Sequence, residues 1–160
     1  MGWAVPPRHA GPSVGVNVLL SLFVIFLGIA LGAGLYEARV VVPLWTSAPP
    51  ASLASPDSGH RFWAFVTTGP LTLLTLANLI AAWQSDGPAR TWWVAAAIVS
   101  LVERAATFGY FIPTMVRLQR WSTGGDAGLR AALARWVRLN YARNALTLLA
   151  WIAALKALST

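Results

Sequence analysis

From Val14 to Leu35 the chain runs 22 residues without a charge, and only Asn17 and Ser21 bring polar side chains. A hydrocarbon core of about 30 Å takes about 20 apolar residues in a helix. Inside lipid every backbone N–H and C=O must bond within its own segment, so a run of this kind has one regular solution, a transmembrane α-helix. Three more stretches have comparable character: Phe62–Trp83, Trp92–Met115 and Leu139–Leu155. The reading is an all-α, integral membrane four-helix bundle, a single domain over residues 1–160. Its expected helices cover about 14–35, 62–83, 92–115 and 139–155.

Composition agrees. The 160 residues are 57% hydrophobic and 11% charged, where a soluble domain has about a quarter charged. The first stretch exceeds the roughly 7–15 apolar residues of a secretory signal core, so it is expected to stay as a span. There is no cysteine, which excludes thiolate nucleophiles, iron–sulfur clusters and disulfides. The net charge of +7 would suggest nucleic acid in a soluble protein. Here the basic residues lie mainly between apolar segments, where anionic headgroups and orientation explain them, so no nucleic-acid partner is expected.

The connections differ. Glu37–Arg61 is rich in Pro, Ser and Ala, with Pro43, Pro49, Pro50 and Pro56, and reads as a long loop. Asp86-Gly87-Pro88 marks a short turn, and Gly124-Gly125-Asp126 a break with Asp126 as N-cap. Residues 127–138 read as an interfacial amphipathic turn running straight into the fourth helix, Leu129, Leu133, Trp136 and Val137 on one face. Arg39, Arg61, Arg117, Arg120, Arg130, Arg135 and Arg138 stand on the long-loop side, against Arg8, Arg90 and Lys156 on the other. The positive-inside rule then places the long loops in the cytoplasm of a bacterial-type plasma membrane.

Ionisable residues at membrane depth cost about 2.5–3.5 kcal/mol each on insertion scales and mark functional sites by default. In this topology Glu37 ends the first helix, His60 and Arg61 begin the second, and Asn140 and Arg143 begin the fourth. Glu103 falls about 18 Å from the end of the third, near the midplane. These groups form a polar funnel open toward the long loops. Ser100, Glu103, Thr107, Tyr110 and Thr114 repeat at helical spacing, as do Asn140, Arg143 or Asn144, Thr147 and Trp151. Thr68, Thr72, Thr75 and Asn78 make a third stripe. Glu103 is expected to pair across the bundle with Arg143 rather than with Arg104, since adjacent residues point about 100° apart. Structural alternatives stand beside this. The ion pair can serve helix packing alone. Gly28 and Gly32 form a GxxxG suited to close helix approach. Tyr36 and Trp63 suit membrane interfaces, and Asn78 suits an interhelical hydrogen bond.

Little specific chemistry fits. His9 and His60 fall on opposite sides of the membrane and no HExxH spacing occurs, so no metal and no cofactor are expected. Serine-hydrolase and phosphate-loop motifs are absent. What remains is acid–base work, a carboxylate withdrawn from water acting as base and arginine stabilising an oxyanion.

Three segments carry a family resemblance. Gly34-Leu35-Tyr36-Glu37 followed by Val41-Val42-Pro43-Leu44-Trp45, then Tyr110-Phe111-Ile112-Pro113-Thr114, then Trp136 with Asn140 and Arg143, resemble the motifs of the anthrone-oxygenase-like family of small membrane proteins. The resemblance covers most of the chain and includes helix count and loop lengths. Met115 departs from it, standing where an asparagine is common. The resemblance implies cofactor-independent oxygenation of an anthrone-like polyketide through an enolate. Glu103, Glu37 or His60 would be the base, with Arg104, Arg143, Tyr110 and Asn140 on ring oxygens and Trp63 against the rings. Tyr36, Thr107 and Asn144 complete the expected substrate-binding set. The same funnel would also suit a cyclase or isomerase. A lipid- or metabolite-binding protein, a self-associating unit or the small subunit of a membrane complex are the non-catalytic alternatives.

Overall fold

The computed structural model of the chain describes residues 14–49, 51–53, 63–121 and 126–160. His9, His60, Arg61 and the Gly124-Gly125 break lie outside the described residues, so those expectations have no structural counterpart here.

Helix α1 spans Val14–Tyr36 and continues through a π turn, Glu37–Val41, into α2, Val42–Ser47. A 3₁₀ turn follows at Ala51–Leu53. A second π turn, Trp63–Thr68, leads into α3, Gly69–Gln84. Helix α4, Ala89–Ala106, passes through a third π turn, Thr107–Phe111, into α5, Ile112–Gln119. Helix α6 covers Asp126–Leu158 without interruption. No strand occurs among the described residues.

Three continuous helical runs, Val18–Ser47, Trp63–Gln84 and Ala89–Gln119, are long and apolar enough to cross a membrane. One expected boundary changes. The segment from Glu37 to Ser47 is helical rather than the start of a long loop, because the π turn Glu37–Val41 makes room for the Pro43 ring inside a continuous helical run. Residues 127–138, expected to run straight into the fourth helix, lie with it in one helix. Helix α6 has no proline and no glycine after Gly128, and is rich in alanine, so nothing stops it. It runs 33 residues, about 50 Å. Between α3 and α4 the turn works as expected: Gly87 takes φ 111°, which favours glycine, and accepts the Arg90 N–H at 3.3 Å.

The helices close a ring. α1 packs on α3 and α6, and α4 packs on the same two. Three layers succeed one another along the bundle, in consistent order on three helices. At the end of the short turn, Leu20, Phe23 and Leu27 of α1, Leu71 and Ala82 of α3, Trp93 and Ala96 of α4, and Ala150, Ala153, Ala154 and Ala157 of α6 form one apolar cluster. The four alanines share one face of α6 and let its backbone approach closely. The far end holds a second cluster: Val42 and Trp45 of α2, Leu53, Phe111, Met115 and Leu118 around α5, and Leu129, Leu133 and Trp136 of α6. Between them lies a polar layer of Glu37, Glu103, Arg104, Thr107, Asn140, Asn144 and Thr147, all buried. Outward faces carry large apolar residues, such as Phe65, Leu73 and Ile80.

The lower layer has its own polar bonds. Trp93 Nε1–H donates to Asn78 Oδ1 at 2.9 Å, and Thr75 and Ser100 hydroxyls meet at 2.8 Å. Asn78 is therefore the interhelical bridge expected for it. The GxxxG expectation is met at one glycine alone. Gly28 lies against the Trp151 indole, while a Cβ at Gly32 would meet open space.

Candidate functional site

Each of the three long apolar runs contains a π turn, and each π turn is followed by a proline: Pro43, Pro70 and Pro113, at the start of α2, α3 and α5. Proline offers no N–H, and its ring collides with the carbonyl four residues earlier in a regular α-helix. Hydrogen bonds reaching five residues back open the backbone where the ring needs room. Val42 N–H donates to Glu37 O, and Ile112 N–H to Thr107 O.

All three wide turns border one cavity of about 510 Å³, within the range of about 300–1,000 Å³ typical of small-molecule sites. Its walls are mostly apolar and aromatic: Trp45, Trp63, Phe108, Phe111, Met115 and Trp136 among them. Trp136 holds the third π turn by donating its indole N–H to Phe111 O at 3.3 Å. Trp45 and Phe111 each meet the Trp136 ring edge-on at 5.9 Å. Two charges face the cavity, Glu37 and Arg143. Arg143 Nη2 donates to Glu37 Oε2 at 3.1 Å, and its guanidinium lies over the Phe111 ring at 4.9 Å.

A second, much smaller cavity of about 20 Å³ adjoins the first and shares Trp63, Thr68, Thr107 and Arg143 with it. Glu103 and Arg104 line this one and not the large cavity. Arg104 folds back along its own helix to pair with Glu103 Oε2, and Thr107 Oγ1–H donates to Oε1 at 2.9 Å. Arg143 approaches Glu103 only to 4.0 Å. The expected Glu103–Arg143 pair is present but is the longest of three, behind Glu103–Arg104 and Glu37–Arg143. A long, flexible arginine stem spans the 100° between adjacent positions, which the spacing argument did not allow for. The two acids and two bases balance in charge.

The remaining expected site residues separate by placement. Thr107 and Trp63 line both cavities. Asn144 lines the small one, where its Nδ2 donates to Gly34 O at 3.2 Å. Asn140 is buried, and its Oδ1 has no hydrogen-bond partner among the described residues. Tyr110 packs edge-on against Phe111 at 5.2 Å and does not line either cavity. Tyr36 is 62% exposed and points away from both. The cavity-lining residues Trp45, Phe108, Phe111, Met115 and Trp136 were not among the expected site residues. The signal that points to them is the set of three prolines inside apolar runs, each marking a backbone opening at the same level. Among the described residues no group of His, Cys, Asp and Glu could hold a metal ion. No protein-family model, curated protein or solved structure matches this chain.

Proposed function

We propose that the chain is an integral membrane enzyme whose cavity takes a hydrophobic, ring-bearing molecule and works on it by acid–base chemistry. The observation that carries this reading is the Glu37–Arg143 pair, facing an aromatic-walled cavity otherwise poor in charge. In its most concrete form, consistent with the resemblance noted above, the substrate is anthrone-like. Glu37 removes a proton from the ring methylene, and Arg143 stabilises the enolate oxygen. The enolate carbon then reacts with molecular oxygen to give a hydroperoxide, which loses water to leave the quinone. The tryptophans hold the ring plane. Glu103, held by Arg104 and Thr107 outside the large cavity, does not meet the substrate.

In this reading α6 crosses the bilayer as the fourth span, with its alanine face inward. The arginine-rich ends lie in the cytoplasm of a bacterial-type plasma membrane. One observation favours a second, non-catalytic reading as a metabolite- or lipid-binding protein: every charge in the polar layer has a partner, as a structural network requires.

Oxygen uptake by the purified protein in detergent with anthrone, corrected for autoxidation, tests the enzyme. Quinone formation should fall at least about 10-fold in Glu37→Gln, about 1.4 kcal/mol of barrier, and less in Glu103→Gln. No rate above autoxidation in the wild type would remove this substrate class and leave the binding reading.

A further inference from the structure

Where a ligand enters depends on which side of the cavity is open. Ala64 and Gly69, from the second crossing run, and Phe108 and Ile112, from the third, all line the large cavity. All four are also exposed on the outer surface of the bundle. They therefore form a rim between the two helices, with Trp45 and Trp136 behind it at the buried side. The rim is apolar, and its neighbours Phe65 and Val66 are outward-facing and exposed as well.

The depth of this rim follows from helix geometry. Gly69 lies 15 residues from Gln84 along α3, about 22 Å, and Phe108 lies 19 residues from Ala89, about 28 Å. With the turn between α3 and α4 at one interface, both fall inside a hydrocarbon core of about 30 Å and close to its other boundary, while Ala64 reaches that boundary and Ile112 lies just past it, at the headgroups. We infer that Ala64, Gly69, Phe108 and Ile112 frame a lateral portal through which the ligand passes from the bilayer into the cavity. The occupant it suits is an amphiphile with an apolar ring body and one polar end. Such a molecule rests at this depth with its polar group toward the headgroups, and slides in with that group toward Glu37 and Arg143. The inference rests on the membrane placement and ligand reading proposed above.

The chain has no cysteine, so one introduced thiol reports one position. Ala64→Cys and Phe108→Cys, each spin-labelled in the full chain in phosphatidylcholine vesicles, should collide with dissolved oxygen several-fold more than with a water-soluble nickel chelate. The reverse order at these positions would overturn the portal, since the rim would then face water. A second measurement uses anthrone preloaded in the vesicles and its quenching of tryptophan fluorescence. Ala64→Trp should slow entry and exit by the same factor, the signature of a gate. An unchanged entry rate, or slowing of one direction alone, would overturn it. If the wild type takes up no anthrone, the ligand reading fails by itself, and the label collisions still decide the portal. Ala64→Phe serves if the tryptophan variant does not fold.

Discussion

Arg143 joins the two halves of the polar layer, and its removal gives a sharp test of the pairing. Arg143→Met keeps most of the apolar stem and deletes the charge. It leaves the Glu37 carboxylate, whose side chain is 9% exposed, without its charged partner. At 3.1 Å and an effective dielectric of about 20, the Coulomb term alone is about 5 kcal/mol. Breaking one side of a buried pair costs about 3–5 kcal/mol in practice. The contact with Phe111 adds about 1 kcal/mol, whereas Glu103 at 4.0 Å keeps Arg104 and Thr107 and loses little. Arg143→Met should therefore cost about 4 kcal/mol, and Glu37→Gln about 2–3 kcal/mol. The double variant removes both charges together. It should cost about 3–4 kcal/mol rather than the sum of about 6–7, a coupling of about 3 kcal/mol. Equilibrium unfolding of the four proteins in mixed micelles of mild detergent and dodecyl sulfate, followed by circular dichroism, measures the cycle. Additive single effects, with coupling below about 0.5 kcal/mol, would refute the pairing. A larger coupling of Arg143 with Glu103 than with Glu37 would show that the cross-bundle pair, not the observed one, holds the layer.

Further substitutions test contacts away from the cavity charges. Gly34→Ala should destabilise by about 1–3 kcal/mol in the same unfolding assay, because a Cβ there overlaps Asn144 Oδ1 and displaces the amide from Gly34 O. Gly32→Ala, with open space around it, should be neutral or slightly stabilising, and the contrast between the two is the check. Asn78→Ala strands the buried Trp93 N–H and should cost about 1–3 kcal/mol. Adding Trp93→Phe to Asn78→Ala should recover part of that loss, since the unsatisfied donor goes with the indole.

Much of this architecture is legible in the chain itself. Apolar length alone marks the three helices long and apolar enough to cross a membrane, because lipid would leave a long uncharged run no other way to satisfy its backbone. Helical spacing also places the inward face. Ser100, Glu103 and Thr107 on one helix, Asn140, Asn144 and Thr147 on another, and Thr75 and Asn78 on a third are all buried. Periodicity reports direction from the helix axis, and that quantity is local. Pairing is not local. Which carboxylate meets Arg143 depends on where helix ends lie relative to one another, so Glu37 wins over Glu103 by a margin that spacing does not contain. The same holds for Tyr36, one residue from a buried glutamate yet turned outward. The cavity is the clearest case. Pro43, Pro70 and Pro113 sit in the sequence as three separate helix irregularities. Only when the bundle closes do their three widened turns face a common space, and the volume between them is a property of the assembly rather than of any segment.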